Sequence, residues 1–252
     1  MKKNRFIKGL FTLAMGMTFL TGCAEVKDIL KSGEVPFPEE KVEDKVSDNS
    51  TGSTSNADLL GYSYAGEAYI ELDDNKPDFT KEELEKAKTS YEEYSDLDEL
   101  GRCTQAMASV GQDLMPTEKR GNISSVKPTG WQSVKYDVVP GKNLYNRCHL
   151  IGYQMTGENA NKENLITGTR YLNIDGMLDT EDAITEYVKD TGNHVLYRVT
   201  PVFKDDELVA RGVRMEGYSV EDNGKGICFD YYAFNVQPGV RINYADGTSE
   251  LE

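Results

Sequence analysis

Histidine is scarce in this chain: among 252 residues only His149 and His194 carry an imidazole. Acid–base chemistry near neutral pH that relies on histidine must therefore use one of these two. Cysteine is also rare. Cys23, Cys103, Cys148 and Cys228 are the only four, and no spacing among them resembles a zinc site. Apart from Cys23 the number is odd, so at most one disulfide forms and at least one buried free thiol is expected. There is no internal repeat, which excludes a repeat architecture. Positive charge is in deficit, with 28 Lys and Arg against 43 Asp and Glu and a net charge of −15. Such a balance repels polyanions unless the charge is unevenly spread.

The spread is uneven. Residues 101–150 hold seven basic side chains (Arg102, Lys119, Arg120, Lys127, Lys135, Lys142 and Arg147) and three acidic ones (Asp113, Glu118 and Asp137), a local excess of +4. This stretch leads straight into His149. By itself it reads equally well as a solvated basic face. The acidity lies largely in residues 24–58 and around residues 80–100.

The first residues read as a leader. Lys2, Lys3, Arg5 and Lys8 precede a mostly apolar run, 9–20, that is short for a membrane span, and Leu20-Thr21-Gly22-Cys23 ends it. The ending resembles a bacterial lipobox, which implies a signal peptide over 1–22 and a lipid on Cys23. The chain would then be extracytoplasmic and anchored to the cell membrane, a plain secreted protein being the alternative. Residues 23–58 are poor in large apolar side chains and end in a polar run from Ser47, so they read as a disordered acidic and Ser-rich tether. Residues 59–252 are long enough for one domain with its own core.

Within that domain, residues 67–72 read as a short strand. Thr80 and Glu83 form a capping box at the start of a helix expected to reach about Tyr94. Residues 101–116 read as a strand region. Residues 131–139 and 144–151 read as two further strands about a Pro140-Gly141-Lys142-Asn143 turn, the second delivering His149. A helical pattern begins near Arg170, with an interruption near Leu178-Asp179-Thr180, and Gly192 ends it. Three strand-like segments complete a meander over 194–203, 208–220 and 227–236. The fold class is therefore α+β with an antiparallel sheet.

Asn146-Arg147-Cys148-His149 carries the chemistry. An imidazole with an ordinary pKa near 6.5 serves as a general base without drastic tuning. Arg147 beside it can meet phosphate charge. Asn173 stands on a helix, where Asn is disfavoured, and its amide oxygen could hold a hard divalent cation that keeps most of its waters. Glu181, eight residues on, falls about two helical turns away and could hold a metal-bound water. His194 has no such neighbours and reads as structural.

Together these residues resemble the DNA/RNA non-specific endonuclease family, over roughly residues 100–240. Its motif, Asp-Arg-Gly-His followed by two asparagines nine apart and a glutamate eight beyond the second, falls on Asn146-Arg147-Cys148-His149, Asn164, Asn173 and Glu181. The resemblance implies a ββα-metal nuclease core with the motif on its second strand. It implies His149 as the general base, Arg147 on phosphate and Asn164 orienting a neighbour of the metal or phosphate. It also implies Asn173 as ligand of Mg²⁺, with Mn²⁺ as an alternative, and Glu181 on a metal water. DNA, and RNA as a second substrate, would be the partners. Asn146 replaces an aspartate and Cys148 a glycine. These departures keep open a second reading, a non-catalytic surface lipoprotein on a decayed nuclease scaffold.

Overall fold

The computed structural model describes residues 54–252. The leader, Cys23 and nearly all of the expected tether lie outside the described residues. The fold starts earlier than the expected boundary at 59. Ser55 and Asp58 close a capping box on the one-turn helix α1 (Asn56–Leu59). Thr54 Oγ1 donates to Asp73 at 2.7 Å. Leu59 is fully buried against Leu72, Val202, Tyr232 and Phe234, which adds an apolar anchor to these polar ties.

The elements that follow are β1 (Tyr69–Glu71), α2 (Lys81–Lys86), β2 (Tyr91–Tyr94), β3 (Ala106–Val110), β4 (Tyr145–His149), α3 (Tyr153–Thr156) and β5 (Leu165–Thr169). After these come α4 (Asp179–Thr191), β6 (Val195–Val202), β7 (Gly212–Ser219), β8 (Cys228–Phe234), β9 (Val240–Ile242) and β10 (Ser249–Leu251). Six strands form an antiparallel sheet in the order β1-β8-β7-β6-β3-β2. The expected meander is its centre. The pairs β4–β5 and β9–β10 stand apart as two-stranded ribbons.

Two expected elements differ. The Thr80–Glu83 capping box is present, but α2 ends at Lys86 and residues 91–94 are a strand. Thr89, Ser90 and Tyr91 are weak helix formers, and the open edge of β3 offers a ladder, pairing Tyr91 with Ser109 and Tyr94 with Ala106. The exposed Glu92 and Glu93 keep this new edge charged. Residues 131–139 are not a strand beyond one isolated bridge, Lys135 to Asn143. Their apolar side chains Trp131, Val134, Tyr136 and Val139 instead join Leu144, Tyr145, Val240 and Ile242 in a separate small cluster. The partner of β4 is β5, and His149 therefore ends the first strand of the strand–strand–helix unit, not the second.

The main core fills the space between one face of the large sheet and that unit. Ala106, Ala108, Tyr197, Val199, Val213 and Met215 from the sheet meet Cys148, Ile166, Leu172, Met177, Ile184 and Val188. This packing fixes the ribbon and its helix, and so the end of β4, on a rigid base. Gly192 ends α4 in the left-handed conformation at φ 74°, as the sequence predicts.

Candidate active site

Side chains alternate along β4. Cys148 points into the core. Arg147 and His149 point the other way, toward the irregular segment 116–130 and Asn159. The His149 ring is only 6% exposed. Its Nε2 lies 2.8 Å from the Asn159 carbonyl oxygen, which can only accept, so Nε2 carries the proton. That leaves Nδ1 with the lone pair, and Arg120 Nη2 donates to it at 3.2 Å. Burial pushes the imidazole pKa down to about 4, with the Arg120 charge adding to the effect and the Asn159 bond opposing it. The ring is thus neutral near pH 7 and held in one tautomer, as a base requires.

Asn164 is fully buried and used on both sides of its amide. Its Oδ1 accepts from Ile151 N at 2.8 Å and its Nδ2 donates to the Ile151 oxygen at 3.0 Å. It therefore clamps the chain two residues beyond His149, and its action on the site runs through that backbone. Arg147 is fastened as well. Its Nε donates to the Val126 oxygen at 2.5 Å and Nη2 to the Ser124 oxygen at 3.1 Å, and its guanidinium lies over Trp131 at 4.1 Å. Only Nη1 is without a bond among the described residues.

Leu172–Leu178 form a π-helix that runs without a break into α4, in place of the expected interruption. The difference has a geometric consequence. Eight residues overshoot two α turns, about 7.2 residues, by nearly one residue. Each π turn holds roughly one residue more than an α turn, so the π segment absorbs about that surplus. Asn173 and Glu181 are thereby brought closer to one face. Glu181 is 7% exposed and has no cationic partner within ion-pair distance among the described residues. Gln154 Nε2 donates to it at 3.5 Å. Burial raises its pKa to about 8, helped by Asp182, while Gln154, the Arg120 charge and the Gly152 N–H pull the other way. Gly152 leaves room for the carboxylate, since a Cβ there would lie 3.0 Å from both of its oxygens and press on them.

Asn146, Arg147, Arg170, Asn173 and Arg120 line one cleft of about 430 Å³ with Trp131 and Tyr145. Three arginines and no carboxylate face it, which suits an anionic ligand. Part of the basic stretch does not contribute: Arg102 pairs with Asp98, and Lys142 with Asp137. The Asn146 Nδ2 is buried with no hydrogen-bond partner among the described residues. Among the described residues no group of three or more His, Cys, Asp and Glu could cage a metal. His194 pairs with Glu221 at 2.6 Å, as a structural histidine does. Cys103, Cys148 and Cys228 are all free thiols.

Residues 82–221 match the model of the DNA/RNA non-specific endonuclease family. The chain belongs to that family. Solved structures agree. NucA from Streptococcus agalactiae with magnesium bound aligns with a TM-score of 0.64 at 22% identity, over 75% of this chain and 89% of NucA. The Sda1 nuclease with a bound zinc ion aligns at 0.59 and 25% identity, over 73% of this chain and 97% of Sda1. No curated protein matches. The endonuclease is thus of the ββα-metal type, with β4, β5 and the π/α4 helix as the ββα unit.

Both departures from the family motif are readable in this geometry. Cys148 has ordinary extended backbone and is absent from the positive-φ residues, so a cysteine is accommodated there without backbone strain. Space for it comes from across the ladder: a Cβ on Gly168 would sit 2.6 Å from the Cys148 Cβ. The Cys148 thiol faces Met177 Sδ at 3.5 Å. Asn146 keeps a polar group at the cleft but not a negative charge. Arg120 escaped the sequence reading as a site residue, because it lies 29 positions before His149 in a segment with no periodicity. Its only trace was membership of the basic stretch.

Proposed function

We propose that this endonuclease is exported, tethered to the membrane by a lipid on Cys23, and hydrolyses phosphodiester bonds of DNA, and of RNA, with His149 as general base and a divalent cation. The observation that carries the reading is the fixed tautomer of His149, whose Nδ1 lone pair is turned toward the arginine-lined side. The folded domain spans 54–252 in this reading, with residues 23–53 as the tether.

The residues fit a lightly held hard cation. Asn173 lines the cleft with an amide whose oxygen is a hard ligand, and Glu181 is a buried acid without a counter-ion among the described residues. Magnesium keeps several waters and needs few protein ligands, so the lack of an acidic cage is no obstacle. Asn173 would hold the ion and Glu181 one of its waters. Such an ion supplies neutralisation of the charge on the phosphate and on the departing 3′ oxygen. Mg²⁺ is the first choice and Mn²⁺ the second.

His149 takes the proton of a water as that water attacks phosphorus in line. Arg120 must swing off Nδ1 to admit the water, and its charge is then free to meet the phosphate. The bond to the 3′ oxygen breaks, solvent protonates that oxygen, and a 5′ phosphate remains. Asn159 holds the ring in the productive tautomer, and Asn164 holds the strand end that carries the ring.

The test uses the full-length protein in detergent on plasmid DNA and on RNA, with Mg²⁺, Mn²⁺ or EDTA. Cleavage is expected with metal and none with EDTA, and Asn173→Ala should need far more metal for the same rate. Cleavage that persists in EDTA would remove the cation from the reading. An unchanged metal titration in Asn173→Ala would remove its ligand. For the anchor, Cys23→Ala should move the protein from the membrane fraction to the soluble one.

A further inference from the structure

We propose that Arg170 is the residue that grips the nucleic-acid backbone, on a phosphate flanking the one that is cut. The inference rests on the nuclease reading. Of the three arginines in the cleft, Arg147 is tied to two carbonyl oxygens and a Trp131 ring, and Arg120 lies on His149. Arg170 differs from both. Its backbone N–H donates to the Leu144 oxygen at 2.8 Å, which pins its Cα between the start of β4 and the start of the helix. Its side chain has no hydrogen bond, ion pair or ring contact with any described residue, yet it is half-buried and lines the cleft. A guanidinium with all five donors free, beside a cleft without carboxylates, lacks the partner that a planar anion would supply.

Its position sets which phosphate it meets. Leu144 precedes β4, and His149 is the last residue of that strand. Five steps along extended chain is about 16 Å, so the Arg170 anchor and the base stand at opposite ends of the strand. Asn173, one helical turn beyond Arg170, lies on the same cleft. Anchored at the end of β4 away from His149, Arg170 is set to hold a neighbouring phosphate while the cut is made between His149 and the ion on Asn173. The chain would then need a substrate several nucleotides long, and backbone contact without base readout would make it indifferent to sequence.

Two measurements on the full-length protein test this. The first is binding of a labelled 16-base-pair DNA by the His149→Ala protein, with and without Arg170→Gln, across a salt series. Arg170→Gln should weaken binding about 10- to 100-fold and reduce the slope of log affinity against log salt by about 0.9, one phosphate contact. The second is kcat and KM for plasmid DNA. Arg170→Gln and Arg170→Ala should raise KM more than they lower kcat, and Arg170→Lys should recover the salt slope but only part of the affinity. Melting temperatures should not move, since the side chain supports nothing in the fold.

An unchanged salt slope together with an unchanged KM would overturn the proposal. A fall in kcat at constant KM would overturn the flanking position and place Arg170 at the scissile phosphate. Absence of cleavage by the protein with His149 and Arg170 both intact would instead overturn the nuclease reading on which the inference rests.

Discussion

The two faces of the large sheet bury charge in opposite ways. On the outer face every buried ion has an opposite partner. Arg214 meets Asp230 at 2.5 Å and Asp73 at 3.2 Å, and Arg198 meets Glu216 at 2.7 Å and Glu83 at 3.2 Å. Asp230 is fully buried, and burial raises its pKa even though Arg214 opposes the shift. On the inner side the β4–β5 ribbon and its helix bury Glu181 with no counter-ion, His149 against a cation, and the Asn146 Nδ2 with no partner, among the described residues. Unpaired polar burial costs stability, and paired burial roughly breaks even. The outer face reads as an ionic seam that fastens the N-terminal segment onto the sheet. The inner side holds its unpaired polar groups around the candidate site.

Breaking each side should therefore have a different readout. His149→Ala should lower kcat by about 10²- to 10⁴-fold, the usual worth of a general base, with little change in melting temperature. A retained rate on plasmid DNA would dismiss the base. Asp230→Ala should do the reverse. Leaving Arg214 without its closest carboxylate costs about 3–5 kcal/mol in chemical denaturation, while the rate per folded molecule stays unchanged. An activity loss as large as the stability loss would mean that the two faces are coupled.

The pH response sharpens the inner side. An unfolded chain protonates His149 near 6.5, and the folded one only near 4. Its contribution to stability is therefore full above about 6.5 and is lost as pH falls from there through 4. Activity needs the neutral ring, so the acid limb of kcat/KM should lie well below 6.5. Arg120→Ala should raise that limb but not return it to 6.5, since burial is the larger cause and remains. A limb at 6.5 in the protein with Arg120 intact would mean that the ring is far more open to water in solution.

Much of this was legible in the sequence, and the failures have common causes. The Thr80–Glu83 box, the Gly192 stop and the C-terminal meander follow from local chemistry, and each is found. The spacing of His149, Asn164, Asn173 and Glu181 pointed to the family, whose model matches residues 82–221. Strand β2 was hidden because Tyr91–Tyr94 is a strand only when β3 stands beside it. Residues 131–139 alternate as a strand does, but tertiary packing gives their apolar side chains to a cluster with β9. The π-helix read as a break near 178–180, since a sequence pattern tuned to 3.6 residues per turn falls out of phase there. The roles of Asn164 and Arg147 as clamps required their partners in Ile151, Val126 and Ser124, which no motif contains.

The smallest expected effect concerns how the site tolerates its altered motif. Gly168 stands across the ladder from Asn146 and beside Cys148, and the glycine leaves the room that the thiol occupies. Gly168→Ala should overpack this point and cost about 1–3 kcal/mol. Cys148→Gly should cost a similar amount or less, through lost burial and a more flexible strand. If the two positions compensate, the double variant Cys148→Gly with Gly168→Ala should be more stable than the sum of the single changes predicts, a coupling that a double-mutant cycle measures directly. Strict additivity would mean that the ribbon relaxes around either residue on its own. Coupling would mean that the cysteine is an exchange with its cross-strand neighbour, made beside His149 without moving the end of β4.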